Sequence, residues 1–283
     1  MNTFVFLLTH FFTHKDFLPD PSMVPGTIYT PLQLFVELLF LAIILGGAFW
    51  AARHPEWIRP IFKRLLIMLV LLEVSIDLWD SFAGANRGIN PGTVLPLYPC
   101  SIFMFVLPLV IWGRGLWKQI ACGYICTLGL TGALINFIYP IARLADYSCI
   151  SFPAFHTFFY HGSMLFTALV LMLSGEHRLT QMTSWWTPFL ASVPGLLFSI
   201  PANFVNFSRI HADYMYFTGQ HPLAQATLGQ RANTPYFLAG MYAAYLFGPV
   251  LFYLLPTLLH RRRTNLACQT KNERFGCWKG ADI

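Results

Sequence analysis

The chain has 283 residues, of which 56% are hydrophobic and only 11% are charged, and its mean hydropathy is +0.55. Soluble domains carry about 25% charged residues, so the composition excludes a disordered chain, a coiled coil and a disulfide-rich secreted domain. This much apolar surface exceeds what a soluble core of ordinary size can bury, which indicates a multi-pass membrane protein.

The six cysteines and the net charge of +6 point to no cofactor and no nucleic-acid partner. No C-x-x-C pair occurs, so neither a zinc finger nor a disulfide framework is predicted. Cys122 and Cys126 are four residues apart on one predicted helix face, but two soft ligands without a third are a weak metal signal. We therefore expect no metal.

Seven apolar runs follow a short apolar N-terminal segment. This segment, near residues 4–12, is too short to span a bilayer and has no preceding Lys or Arg, so it is interpreted as interfacial rather than as a signal peptide. The predicted fold is an all-α bundle with an interfacial segment at 1–30, a seven-helix transmembrane domain at 31–258 and a basic cytoplasmic tail at 259–283. The predicted spans are 31–51, 61–80, 95–112, 117–139, 153–173, 186–204 and 236–258.

The distribution of Lys and Arg predicts the orientation. If the seven spans alternate, 13 of the 18 basic residues fall in one set of loops and the tail, and 5 fall in the other set. Basic residues concentrate on the cytoplasmic side. The N-terminus is therefore predicted outside and the C-terminus in the cytoplasm.

With this topology, polar residues gather in the outer halves of the helices. Glu73, Asp77 and Asp80 share one helix face because they are spaced i, i+4, i+7. An ionisable residue in a span costs about 2.5–3.5 kcal/mol on insertion scales, so the cluster indicates a functional polar cavity that opens outward. Interhelical hydrogen bonds that fix packing are the alternative. The other members are Glu37, Cys100, Asn136, His156, His161, Asn203, Asn206 and, beyond the sixth span, Arg209, His211 and Asp213.

Cys100 and His161 form a candidate nucleophile and base. An imidazole near a thiol can accept its proton, and a carboxylate such as Asp77 or Glu73 can orient the ring. Both lie a short distance into their helices from the outer surface, so a modest tilt would bring them level. Cys100 as apolar packing is the competing interpretation.

The remaining polar residues are substrate-binding candidates. Asn136, Asn203 and Asn206 are candidates to bind an oxyanion or a lipid headgroup. Arg209 could meet a phosphate, with snorkelling to the interface as the alternative. Tyr98 and Glu37 are further candidates in the same outer region. Asp80 is interpreted as interfacial and solvated, and His156 could equally be an interface residue.

Three segments resemble motifs of the YwaF-like integral membrane family. They are Leu95-Pro96-Leu97-Tyr98-Pro99-Cys100-Ser101, Tyr160-His161-Gly162, and Asn203-x-x-Asn206 with Asp213-Tyr214-Met215-Tyr216-Phe217. The resemblance covers roughly residues 35–255. The animal branch of this family is associated with acyl transfer onto ether phospholipids, and the resemblance implies that Cys100 and His161 are the catalytic pair.

This chain departs from the family pattern at two places. Tyr98, followed by Pro99, stands where many members have a His two residues before the Cys. The asparagine segment lacks the expected Gly and has Asp213 in place of an Asn. A His at the position of Tyr98 is a candidate activating base in those members, and this chain has none there.

The leading hypothesis is a lipid acyltransferase or lipid hydrolase that acts on phospholipid and lysophospholipid substrates in the membrane. The alternative is a transporter or receptor that binds a cation or a small polar solute through Glu73, Asp77 and His161, without turnover. A scaffold or lipid-binding protein is a third option. The oligomeric state stays open, and a plasma membrane is the default location, with an endomembrane if the source is eukaryotic.

Overall fold

The computed structural model describes residues 3–85, 87–89, 94–180, 186–208, 213–216, 218, 225 and 235–276. All regular structure in these ranges is helical, which confirms the all-α prediction. The helices are α1 (Thr3–Thr9), α2 (Pro31–Arg53), α3 (Pro55–Phe82), α4 (Ile102–Trp112), α5 (Gly115–Ile138, with a π-helical turn at Ile125–Gly129), α6 (Ile141–Leu144), α7 (Phe152–Leu173), α8 (Thr187–Leu190), α9 (Val193–Asn206) and α10 (Pro235–Gly276). Short 3-10 turns lie at Lys15–Phe17, Pro21–Met23 and Tyr214–Tyr216.

Prolines and capping side chains set the helix boundaries. The Thr30 hydroxyl accepts a hydrogen bond from the Gln33 amide at 3.4 Å, and Pro31 occupies the first helical position of α2. The same arrangement starts α7, where the Ser151 hydroxyl accepts from the Ala154 amide at 3.3 Å. Since a residue that precedes proline avoids helical backbone angles, His54 is non-helical, so α2 ends at Arg53 and α3 starts at Pro55.

Five helical segments are long and apolar enough to cross a membrane: Pro31–Arg53, Gly115–Ile138, Phe152–Leu173, Thr187–Asn206 and Pro235–Leu259. They match five of the seven predicted spans. The predicted second span lies in α3, which has 28 residues but carries several charged side chains. Seven crossings and the orientation of the termini therefore stay predictions.

The predicted third span, 95–112, begins later than expected. Its helix, α4, has 11 residues and starts at Ile102. Pro96 and Pro99 explain the difference, because each lacks a backbone donor and restricts the residue before it. The residues from Leu95 to Ser101, Cys100 included, therefore form a non-helical segment that leads into α4.

Helix α7 is central, whereas α2 and α10 are peripheral. In the most apolar stretch of each helix, 61% of α7 residues are buried, against 22% for α2 and 17% for α10. The rings of Phe40 and Phe137 each stack on Phe158 of α7, with centroids 5.5 and 6.3 Å away. A Cβ atom at Gly162 would lie 2.8 Å from the Ile44 side chain, so glycine permits the close approach of α2. The exposed side chains of α2 before Arg53, and of α10 as far as Leu259, are apolar, as expected for a helix that faces lipid.

The N-terminal residues pack against the end of the bundle at which α3 finishes and α7 begins, which we call the site end. The Phe11 carbonyl accepts from the Phe152 amide at 2.9 Å, and the Phe12 carbonyl accepts from the Trp79 indole at 3.1 Å. The Lys15 amide donates to the Tyr147 hydroxyl at 3.1 Å. The N-terminal segment is therefore held by hydrogen bonds to three different parts of the chain.

At the opposite end of the bundle, His177 joins the end of α7 to α10. Its Nε2 atom lies 2.7 Å from the Tyr253 hydroxyl, next to an ion pair of 2.8 Å between Lys118 and Glu176. Burial lowers the pKa of His177 below its ordinary value of 6.5, because the charged ring is poorly solvated there.

Acidification is therefore expected to destabilise the protein partly through His177. As the pH falls, His177 takes up a proton more readily in the unfolded chain than in the folded one. Its contribution to stability is therefore fully present above a pH of about 6.5 and is lost as the pH drops towards the lower pKa of the folded state. Melting of the detergent-solubilised protein at pH 8 and pH 5.5 tests this. His177→Gln, which cannot titrate but can still bond Tyr253, should show a smaller acid-induced drop in Tm. An unchanged drop would contradict the assignment.

Candidate functional site

Glu73 of α3 lies at the centre of the polar cluster at the site end. One carboxylate oxygen, Oε1, accepts a hydrogen bond from the Ser101 hydroxyl at 3.1 Å, and the other, Oε2, lies 3.2 Å from Nε2 of His156 in α7. The side chains of His156 and Glu73 are only 13% and 14% exposed. Because Ser101 directly follows Cys100, this single carboxylate ties the Cys100 segment to the helix that carries His161.

His161 is oriented by the backbone of its own helix. Its Nδ1 atom lies 2.9 Å from the Thr157 carbonyl oxygen, which can only accept a hydrogen bond. Nδ1 therefore carries the proton, and in the neutral ring Nε2 keeps a lone pair that can act as a base. The Glu73 carboxylate contacts His156 rather than His161, and an orienting role of Asp77 stays a prediction.

Cys100 is half-buried in the segment before α4. The Tyr124 hydroxyl donates to the Pro99 carbonyl at 2.9 Å and so holds this segment against α5. The Cys100 thiol lies within electrostatic range of the Glu73 carboxylate. Among the described residues, the thiol and the His161 ring share no hydrogen bond, but both groups lie within electrostatic range of the Glu73 carboxylate.

The other two acidic residues of the α3 face have different surroundings. Both oxygens of Asp80 accept from the Arg143 guanidinium, at 3.1 and 2.6 Å, and the Arg143 and Asp80 side chains are 28% and 23% exposed. Asp80 is therefore only partly exposed and is paired with Arg143, which the sequence did not predict. Asp77 is partly buried between Glu73 and Asp80 and makes no hydrogen bond within the described part of the chain.

Asn206 has a structural contact for both atoms of its amide. Its Oδ1 accepts from the Tyr214 amide and its Nδ2 donates to the Tyr214 carbonyl, each at 2.7 Å. These bonds hold a strained turn, since Met215 and Tyr216 have φ values of 59° and 58°, which side chains other than glycine rarely adopt. Asn206 therefore has a structural role in this turn, and its predicted role in substrate binding stays a prediction.

The remaining predicted binding residues are distributed around the site end. Asn203 donates to the Tyr242 hydroxyl, and its Oδ1 is buried without a partner among the described residues. The same holds for Nδ2 of Asn136 at the end of α5. Glu37 is buried on α2 and accepts from the Gln33 side chain. Arg209 and His211 lie outside the described residues.

Tyr98 brings two of the motif segments together. Its ring lies edge-on to the Tyr214 ring at 4.9 Å between centroids, and 5.9 Å from the Tyr216 ring. The Leu95 amide donates to the Tyr214 hydroxyl at 3.0 Å. The segment at 95–101 and the turn at 214–216 are therefore in direct contact. Glu73 links the segment at 95–101 to α7, the helix that carries the Tyr160-His161-Gly162 motif.

The roles of Ser101, Tyr160 and Arg143 were not predicted from the sequence. Ser101 and Tyr160 adjoin Cys100 and His161 in the motifs, so adjacency was an available signal. His156 was predicted in the polar cluster, but without a partner. Within the described ranges, no group of three or more His, Cys, Asp or Glu side chains is arranged to hold a metal ion.

Apolar membrane-length helices and a polar cluster at one end of the bundle define an integral membrane protein of the multi-pass helical class. The chain belongs to the TMEM164 family, whose sequence pattern matches residues 28–259. This range contains all of the site residues described above. No curated protein and no solved structure matches the chain.

Proposed function

We propose that this protein is a membrane-embedded lipid acyltransferase, with hydrolysis of lipid esters as its side reaction, in which Cys100 is the nucleophile and His161 is the base. The main support is the Glu73 carboxylate, which holds the Ser101 hydroxyl and the His156 ring at the same time. It thereby keeps the Cys100 segment and α7 side by side. His161, one turn and a half further along α7, presents a basic Nε2 because its Nδ1 proton is bonded to Thr157.

The reaction would proceed through an acyl thioester. Nε2 of His161 takes the thiol proton as the Cys100 sulfur bonds to the ester carbonyl carbon of a phospholipid. The ester C–O bond then breaks, and the leaving alcohol takes the proton from His161. In the second half, a lysophospholipid hydroxyl gives its proton to His161 and attacks the thioester, and the released thiolate is protonated again. Water in place of the lysophospholipid gives hydrolysis.

The motif resemblance supports the same chemistry. The three segments that resemble the YwaF-like family, with its branch associated with acyl transfer onto ether phospholipids, include both Cys100 and His161. The departure at Tyr98 removes a His that many members carry. In this chain Tyr98 packs on Tyr214 instead. The base in our proposal is therefore not at this position but is His161 of α7.

Mass spectrometry of the intact, detergent-purified protein after incubation with mixed phospholipids tests the proposal. We expect an acyl adduct, labile to hydroxylamine, on the wild type and none on Cys100→Ala. Cys149→Ala is the matched control, because the Cys149 side chain is buried whereas Cys100 is only half-buried. An adduct that persists in Cys100→Ala, or no adduct on the wild type, would overturn the proposal.

A transporter or receptor is the second candidate, and Asp77 favours it. This carboxylate is partly buried beside Glu73 without a hydrogen bond in the described part of the chain, as a binding group for a cation or a small polar solute would be. Under this alternative, Asp77→Asn abolishes solute binding whereas Cys100→Ala leaves it intact. If the protein is an acyltransferase, Cys100→Ala abolishes lipid turnover and Asp77→Asn has the smaller effect, so the two variants distinguish the candidates.

A further inference from the structure

Tyr160 of α7 carries a buried hydroxyl that the fold does not use. The residue is only 1% exposed, and its hydroxyl has no hydrogen-bond partner among the described residues. Buried hydroxyls are normally paired, because an unpaired one loses its bonds to water without replacement. A donor left free in this way at a polar site is a candidate to bind a group that arrives with the substrate.

The Tyr160 ring lies near residues that adjoin the proposed nucleophile and near the ring of the proposed base. Its centroid is 6.5 Å from the ring of Phe103, whose amide donates to the Cys100 carbonyl at 3.0 Å. The ring centroids of His156 and His161 lie 5.5 and 6.3 Å from it. The Tyr160 hydroxyl is also within electrostatic range of Cys100 and Glu73.

We propose that the Tyr160 hydroxyl donates a hydrogen bond to the oxyanion that forms when Cys100 attacks the ester carbonyl. This inference rests on the proposed acyl-transfer function and adds a catalytic residue to it. As the sulfur–carbon bond forms, the carbonyl π electrons move onto oxygen, and the new negative charge accepts the Tyr160 O–H bond. No proton is transferred in this step. When the carbonyl forms again, the ester oxygen leaves and takes its proton from His161.

Other polar groups at the site end are less suited to this role. Both atoms of the Asn206 amide are bonded to Tyr214, and the Tyr124 hydroxyl is bonded to Pro99. The unpaired atom of Asn203 is its Oδ1, which can only accept a hydrogen bond and would repel an oxyanion. Nδ2 of Asn136 is a free donor, but the described contacts do not connect it to the Cys100 segment.

Tyr160→Phe in the full-length protein removes this hydroxyl and nothing else. With a fluorescent phospholipid ester as the probe, we expect kcat to fall about 10²–10³-fold with KM nearly unchanged, because an oxyanion donor acts only in the transition state. The Tm should stay the same or rise, since no hydrogen bond is lost. A phospholipid analogue with a trifluoromethyl ketone in place of the ester, which forms an oxyanion on Cys100, should bind weaker by a similar factor.

Tyr253→Phe is the matched control. Its hydroxyl is equally buried but is bonded to His177 at the opposite end of the bundle, so the variant should lose stability and keep its kcat. Suppose that the wild type forms the Cys100 adduct and that Tyr160→Phe keeps the wild-type kcat and inhibitor affinity. This result would overturn the role of Tyr160 and leave the acyltransferase proposal intact. If the wild type forms no adduct, both proposals fail together.

Discussion

Replacing His161 with glutamine is expected to lower acyl transfer by about 10²–10⁴-fold, the range that general-base catalysis contributes. Glutamine is similar in length and polar, but it cannot accept and return a proton. The Thr157 carbonyl fixes the proton on Nδ1 of the native ring, so Nε2 is the atom whose loss matters. Turnover of a fluorescent phospholipid measured across the pH range tests this, and the acidic limb of the profile should disappear with the histidine.

His177→Gln is the matched control for this variant, because His177 lies at the opposite end of the bundle and should leave turnover unchanged at neutral pH. Alkylation of the Cys100 thiol by iodoacetamide provides a readout that does not need the lipid. It should slow in His161→Gln, since the thiolate loses the base that generates it. Wild-type turnover in His161→Gln would exclude His161 as the base and leave the thiol without an activating group on α7.

Replacing Arg143 with alanine is expected to cost about 2 kcal/mol of stability, somewhat less than for a fully buried pair because about a quarter of each side chain is exposed. The loss has two sources. Asp80 loses both hydrogen bonds to the guanidinium, and its charge then adds to those of Glu73 and Asp77 on the same face of α3. A lower Tm in detergent would report the effect.

A double-mutant cycle isolates the contribution of the ion pair. Asp80→Asn in the Arg143→Ala background should recover part of the lost stability, because it removes the unpaired charge. Lys15→Ala is the matched control, since the 3.5 Å pair of Lys15 with Asp146 is 54% and 42% exposed and should contribute little. Equal Tm losses in Arg143→Ala and Lys15→Ala would contradict a special role for the Arg143–Asp80 pair.

The N-terminal segment contacts residues that adjoin both partners of the Arg143–Asp80 ion pair. The Trp79 indole, one residue before Asp80, donates to the Phe12 carbonyl, and Tyr147, four residues after Arg143, accepts from the Lys15 amide. Both partners of the ion pair are therefore on segments that the N-terminal residues bind. We interpret these contacts as support for the site rather than as part of its chemistry.

The amino-acid sequence by itself predicted those features that depend on local pattern. Apolar runs near the thickness of a bilayer identified five helices that the structure contains, because burial in lipid requires about 20 consecutive apolar residues whatever their partners are. The spacing of Glu73, Asp77 and Asp80 placed them on one face of α3, because helical periodicity is a property of the chain alone. Their position near the end of that helix followed from the same argument.

The tertiary structure decided which of these side chains meet. Glu73 contacts His156 and Ser101, Asp80 contacts Arg143, and Asn206 holds the Tyr214 turn, and none of these pairings follows from spacing in the sequence. They depend on the rotation of each helix about its axis and on where backbones approach closely, as α2 and α7 do at Gly162. Hydropathy and periodicity contain no information on that rotation, because it is set by packing between elements that are distant along the chain.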